Sequence, residues 1–221
     1  MMRVARPWGL LFLTLFLVPA MAGAQRSPGP AIAFEANAVV ASGLSPGKTL
    51  VWFGVERRVD AEYSTDVYER YDVQTAGADG TARFVLDQPV ALRSLWTVVE
   101  LDSGDFALAA PDGYRLGRLS QPPARLGVGS AAQSDELLDE RPYLVGLVVR
   151  PGEGAWRFAG GDGGARDEDG QNDGHLRFAL DKLEPLPGSP IAPAKARGED
   201  LWFVIDPQRM EISVHQGGVA Q

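Results

Sequence analysis

The second half of this 221-residue sequence repeats three segments of its first half in the same order. The longest match has five identical residues in eight, and it starts at a glycine in both copies. Repetition in a fixed order predicts duplicated structural units. The paired segments are residues 51–55 (VWFGV) with 143–147 (YLVGL), 80–87 (GTARFVLD) with 174–181 (GHLRFALD), and 95–100 (LWTVVE) with 201–206 (LWFVID).

The spacing between the copies is nearly constant and then increases. Gly54 and Gly146 are 92 residues apart, Gly80 and Gly174 are 94 apart, and Trp96 and Trp202 are 106 apart. The increase falls where the second copy contains a proline-rich stretch, residues 185–193. Prolines and glycines between strands are typical of loops, so we expect a loop insertion there.

The fold class follows from short apolar runs separated by turn signals. The sequence contains 26 Gly and 16 Pro, and after residue 24 no stretch has a sustained helical period. We therefore predict an all-β protein of two related β-sandwich units in tandem, or one pseudo-symmetric duplicated sandwich. The predicted units are residues 31–118 and 138–216, and residues 119–137 form a linker or long loop between them.

Two local patterns make specific predictions. Residues 31–41 are apolar and predict one strand, which ends in a turn over residues 42–47. In the strand that follows Gly80, Ala82, Phe84 and Leu86 should face one side, while the residues between them face the other.

Residues 43–53 (GLSPGKTLVWF) resemble the entry into an early strand of bacterial immunoglobulin-like or fibronectin-type modules. The resemblance covers about a dozen residues. It implies adhesion, carbohydrate binding or protein binding. The chain has no cysteine, so the disulfide and tryptophan pattern of true immunoglobulin domains is absent.

The first 24 residues have the features of a secretory signal peptide. Arg3 and Arg6 precede an apolar run over residues 8–18, and residues 22–24 (AGA) form a small-residue cleavage site. We expect the mature chain to begin at Gln25 and to be periplasmic or extracellular, without insertion into the membrane. A retained N-terminal anchor is the alternative reading.

Charge and cysteine content exclude some functions. The net charge is −8, and it becomes −10 without the two leader arginines. An acidic chain is a poor partner for nucleic acid or anionic membranes. Without cysteine there is no thiol catalysis and no cysteine-ligated zinc.

An acidic, glycine-rich segment over residues 160–174 (GGDGGARDEDGQNDG) is a candidate calcium site, because hard cations bind six to eight oxygen ligands. It resembles the start of an EF-hand or dockerin loop, but it departs at Gln171 and again at Leu180, where that loop has Glu. A solvated acidic loop is the alternative interpretation. The predicted ligands are Asp167, Asp169 and Asp173, with Asp162 and Gln171 in support.

Aromatic and histidine residues add two hypotheses. Trp52, Trp96 and Trp202 lie in apolar runs and should be core residues. Trp156 is the best candidate for an exposed ring that stacks on a sugar, although core packing is the favoured reading. His215 should lie on the surface.

The sequence contains no nucleophile elbow and no phosphate-binding lysine loop. We therefore expect a secreted, non-catalytic binding or structural module at the cell envelope, with an unknown protein or carbohydrate as its partner. No catalytic residue is predicted, and calcium is the one cofactor considered. The alternative is a carbohydrate-active protein that binds sugar or hydrolyses glycosides with a pair of carboxylates.

Overall fold

The apolar and β-branched runs of the sequence form strands, which dominate the structure. The structure is a computed structural model, and it describes residues 29–59, 65–111, 127–128, 144–159, 165–167, 176–178, 180–207, 210–217 and 219–220. The strands of the first half are β1 Ala31–Glu35, β2 Ala38–Ser42, β3 Thr49–Val59, β4 Thr65–Thr75, β5 Ala82–Val85, β6 Ser94–Glu100 and β7 Phe106–Ala109. Those that follow are β8 Gly127–Val128, β9 Val145–Arg150, β10 Gly154–Ala159, β11 Ala165–Asp167, β12 Leu176–Phe178, β13 Glu184–Pro185, β14 Leu201–Asp206, β15 Glu211–Gln216 and β16 Val219–Ala220.

The chain is all-β, as predicted, and a single 3-10 turn at Leu180–Lys182 interrupts the strands of its described part. Three antiparallel sheets are present: β1-β2-β5, β4-β3-β6-β7 and β13-β10-β9-β14-β15. Two small pairs accompany them, the β11–β12 hairpin and the parallel pair β8–β16. Across the described ranges, no helix has the length and apolar character needed to cross a bilayer.

The four-stranded and five-stranded sheets share one buried core. Strands β3 and β6 contribute Val51, Phe53 and Val99 to it, and strands β9 and β14 contribute Leu147 and Phe203. All five side chains are fully buried. The inner faces of the two sheets therefore pack on each other as in a β-sandwich. The bounds predicted for two separate units remain a prediction, because most of residues 112–143 lies outside the described part.

The outer face of each of these two sheets is also covered. Trp52 and Trp96 project from the four-stranded sheet into a second cluster, which Val39 and Ala82 of the three-stranded sheet cover. Residues 186–200, which we call the strap, begin with Leu186, which packs into the core that the two large sheets share. Further along the strap, Ala192 and Ala196 pack over the outer face of the five-stranded sheet, together with Leu180 and Leu183 of the preceding segment. Trp156 and Trp202 are buried there in a third cluster. The layers therefore stack in the order three-stranded sheet, four-stranded sheet, five-stranded sheet and strap.

The two large sheets have one strand order in common. In each, two hairpins pair through their first strands, giving β4-β3-β6-β7 and β10-β9-β14-β15. Their registers differ, because Trp96 lies opposite Gly54 whereas Trp202 lies opposite Val148. The proposed counterparts β5 and β12 also have different partners: β5 pairs with β2, and β12 pairs with β11.

The predicted alternation after Gly80 is confirmed. Ala82 and Leu86 are buried and Phe84 is half-buried, while Arg83 and Val85 are exposed. The single strand predicted over residues 31–41 is wrong. The chain turns at residues 36–37 and pairs with itself as the β1–β2 hairpin, since asparagine readily adopts turn conformations.

Candidate functional site

The segment proposed to bind calcium belongs to the β11–β12 hairpin. Asp167 ends β11 and pairs with Leu176 at the start of β12, so the two chain ends that flank residues 168–175 lie side by side. Asp162, Asp169, Gln171 and Asp173 lie outside the described residues. Within the described ranges, no group of three or more acidic or histidine side chains is arranged to hold a metal ion. The calcium ligands therefore remain a prediction.

Trp156 is fully buried on strand β10, between the five-stranded sheet and the strap. Its indole N–H donates a hydrogen bond of 2.9 Å to the carbonyl oxygen of Pro190. The guanidinium of Arg150 lies 5.7 Å from the centre of its ring. Because its ring has no solvent-exposed face, Trp156 is a core residue, and the sugar-stacking alternative is wrong for this position.

A buried ion pair holds the far end of the strap. Arg150 donates from Nε to Asp200 Oδ1 at 2.7 Å and from a terminal nitrogen to Asp200 Oδ2 at 3.0 Å. Asp200 also accepts the backbone N–H of Arg197, and Arg150 donates to the carbonyl of Lys195. The hydrogen bond to Asp200 raises the pKa of Arg150 above its ordinary value. The two-pronged geometry fixes the strap end at the start of β14.

The near end of the strap is attached through main-chain and hydroxyl groups. Leu186 N–H donates to the carbonyl of Ala155 at 3.0 Å, and Ala155 N–H donates to Ser189 Oγ at 2.9 Å. Gly154 leaves room for this contact, because a Cβ there would lie 2.8 Å from Cδ of Pro190. The predicted insertion at residues 185–193 is therefore packed against the sheet through its polar atoms.

A second buried carboxylate lies at one end of the four-stranded sheet. Glu56 is fully buried and accepts hydrogen bonds from Arg58 at 3.0 and 3.3 Å. Arg70 lies 3.8 Å from the same carboxylate, and the N–H of Ala91 lies 3.5 Å away. Arg58 in turn donates to the carbonyl of Pro89. These contacts hold the loop over residues 86–93 against the sheet.

The opposite end of the same sheet contains Glu100, which is 3 % exposed. Its carboxylate accepts the backbone N–H of Ser45 and the hydroxyl of Ser103. Close by, Lys48 forms a surface ion pair of 2.8 Å with Asp102, which raises the pKa of the lysine. The buried acids at both ends of the sheet thus organise loops.

His215 is buried on strand β15, with 1 % of its surface exposed, so the prediction of a surface histidine is wrong. Its Nε2 lies 2.9 Å from Ser213 Oγ, two residues earlier on the same strand. Trp202 lies directly opposite it in the sheet. Proximity to the C-terminus suggested exposure, but the alternation of the strand turns this side chain towards a covered face.

Sequence reasoning missed the buried charged residues Arg150, Asp200 and Glu56. A signal was present, since each lies directly beside a strongly apolar run of the sequence. Nothing in the local sequence, however, identifies which of them find partners. Arg150 and Asp200 are 50 residues apart.

The chain matches no protein-family model, no curated protein and no solved structure.

Proposed function

We propose that the chain is an exported, non-catalytic binding or structural module of the cell envelope, acting in the periplasm or outside the cell. The stacked sheets support this proposal. Three apolar clusters fill the spaces between the layers and beneath the strap, and buried carboxylates hold loops at both ends of the four-stranded sheet. Such a body is a rigid platform on which surface loops can present binding residues.

Binding and hydrolysis assays on a panel of bacterial surface polysaccharides and peptidoglycan distinguish this role from the carbohydrate-active alternative. The module should bind any insoluble polymer that it recognises, and it should release no reducing ends from that polymer. Release of reducing ends that is lost when exposed carboxylates are replaced would contradict a non-catalytic role.

The export step has its own test. We expect the protein recovered from the periplasm or medium of the producing cell to begin at Gln25, as measured by intact mass. A full-length mass in the membrane fraction would favour the retained anchor.

We infer that the four-stranded and five-stranded sheets are copies of one ancestral sheet. We further propose that these sheets are immunoglobulin-like. The common order of two hairpins supports this inference. So does a shared packing device, since Gly54 lies beneath the ring of Trp96 and Gly146 lies beneath the ring of Phe158. Trp96 lies on a different hairpin from Gly54, whereas Phe158 lies on the same hairpin as Gly146. The two copies have therefore diverged.

Calcium is the proposed cofactor of the acidic segment, with Asp167, Asp169 and Asp173 as its main ligands. The observation in favour is the β11–β12 hairpin, which brings the two ends of this segment together. Repulsion between closely spaced carboxylates makes a closed loop costly unless a cation neutralises them.

Millimolar calcium should raise the melting temperature and slow proteolysis of this loop. Replacing Asp169 and Asp173 together by Asn should abolish both effects. The matched control is Asp105→Asn, an exposed acid in another turn, which should leave them intact. A wild-type protein that responds to neither measurement would exclude the site.

A further inference from the structure

We propose that the outer edge of strand β4 pairs with the same edge of a second copy of this chain, so that two four-stranded sheets join into one continuous sheet. This inference goes beyond the proposed binding role and is independent of its ligand. It is carried by the length of the edge, by the direction of its main-chain groups and by the charges that it presents.

Strand β4 is a long edge strand without the usual protection. In the part of the chain that the structure describes, β3 is the only strand that pairs with it. Its 11 residues keep an unbroken register against β3, so no bulge bends the edge, and they include no proline and no lysine. Natural proteins protect exposed edges with such devices or with short strands. The other edge strands of the three antiparallel sheets have only two to six residues.

Alternate residues of β4 direct their main-chain groups away from β3. Ala76 N–H donates to the carbonyl of Lys48 at 2.9 Å, directly beyond the last pair of the β3–β4 ladder. Because bonded and non-bonded pairs alternate in an antiparallel ladder, the even-numbered residues of β4 bond to β3 and the odd-numbered residues point outwards. Val73 N–H fits this pattern, since it donates to Oδ1 of Asp72 at 2.8 Å. Asp72 thus caps an outward donor with its own side chain.

The charges of β4 favour one register for pairing with a second copy. In an antiparallel pair, side chains directly opposite each other share a face, and like charges there are destabilising. Two-fold pairing centred on Tyr71 sets Arg70 opposite Asp72 twice and sets no like charges opposite each other. Centring the pair one residue earlier or later sets Arg70 opposite Arg70 or Asp72 opposite Asp72. The two opposite-charge pairs also fall at the non-hydrogen-bonded positions, where side chains are closest.

Arg70 has hydrogen-bonding capacity left for this contact. Its Nε is buried and has no hydrogen-bond partner among the described residues. The carboxylate oxygens of Glu56 and Asp87 lie 3.8 and 3.9 Å from its guanidinium, beyond hydrogen-bond distance. In the dimer, Val73 N–H donates to a main-chain carbonyl of the second copy, which releases Asp72 to bind Arg70. The contact therefore replaces a local cap with a cross-strand ion pair.

Sedimentation equilibrium of the chain, purified after export, measures its dimerisation. We expect wild type to dimerise in the micromolar range. Arg70→Glu and Asp72→Arg each place like charges opposite each other, so each single variant should dimerise roughly tenfold or more weakly. An equimolar mixture of the two variants restores both opposite-charge pairs and should form a heterodimer with wild-type affinity. The matched control Asp105→Arg makes the same charge change at an exposed position outside β4 and should dimerise as wild type does.

Val73→Pro provides a second test that keeps every charge of the edge. Proline removes an outward N–H and no hydrogen bond to β3, so the variant should fold, as measured by circular dichroism, and dimerise more weakly. A wild-type chain that stays monomeric throughout the micromolar range would overturn the proposal. So would a dimer that Asp72→Arg and Val73→Pro both leave unchanged. Folded, monomeric single variants that form no heterodimer would overturn the register and the contact between Arg70 and Asp72.

Discussion

The outer faces of the two large sheets are covered in different ways. A three-stranded sheet covers the four-stranded sheet, and its backbone groups are largely paired within its own strands. The strap, which has no strand pairing, covers the five-stranded sheet together with Leu180 and Leu183. The irregular cover depends on side chains from the sheet to bind its carbonyls, because unpaired backbone groups near a core are costly. The outer face of a sheet can thus be covered either by another sheet or by an irregular segment, but the irregular strap requires specific polar anchors.

The largest effect is expected at the buried ion pair. Asp200→Ala leaves the guanidinium of Arg150, which is 3 % exposed, without its main partner. Removing one member of a buried pair costs about 3–5 kcal/mol of unfolding free energy. Urea denaturation measures this loss. The control Asp102→Ala removes a surface ion pair with Lys48 and should cost about 0–1 kcal/mol.

The double variant Arg150→Met with Asp200→Ala sharpens this comparison, because it removes both buried charges. It should be more stable than Asp200→Ala alone. If Asp200→Ala and Asp102→Ala cost the same, the strap does not depend on its polar anchor and the contrast between the two covers fails.

A smaller effect should distinguish the two glycines that lie beneath aromatic rings. A Cβ at Gly146 would lie 2.0 Å from the ring of Phe158 and 2.4 Å from the carbonyl oxygen of Phe203. A Cβ at Gly54 would lie 2.5 Å from the ring of Trp96, which is buried and hydrogen-bonded to Ser94, but no backbone atom is among its three nearest neighbours. Overpacking typically costs about 1–3 kcal/mol. We expect Gly146→Ala to fall at or above the top of this range and Gly54→Ala to fall within it, as measured by thermal unfolding.

The central strands and turns could be predicted from sequence because local patterns determine them. The run over residues 201–206 forms β14, and Gly43, Gly47 and Gly80 have the positive φ values that turns favour. The strap could not be predicted. Its proline spacing indicates a loop, but its position depends on Arg150 and Trp156, which are distant in sequence. The calcium hypothesis rests on local acid spacing in the sequence and on the β11–β12 pairing, which brings the two ends of the acidic segment together.

The indole donors of the two covered faces provide a matched pair. Trp156→Phe removes the hydrogen bond to Pro190 of the strap, while Trp52→Phe removes a bond of 3.0 Å to Gln74. A lost hydrogen bond costs about 1 kcal/mol, which corresponds to roughly a fivefold change in local opening. Trypsin cleavage after Lys195 or Arg197, identified by mass spectrometry, should accelerate about fivefold in Trp156→Phe only. Equal acceleration in both variants would mean that the strap opens only with global unfolding.

The smallest effect is expected in the core that both large sheets share, where the covers should not matter. Thr97 is fully buried on β6, and its hydroxyl has no hydrogen-bond partner among the described residues. Valine has nearly the same shape without the polar group. Because an unsatisfied buried hydroxyl is unfavourable, Thr97→Val should raise the unfolding free energy by about 1 kcal/mol. It should leave trypsin cleavage of the native strap unchanged. A loss of stability in urea denaturation would mean that this hydroxyl has a partner in solution, such as a buried water between the sheets.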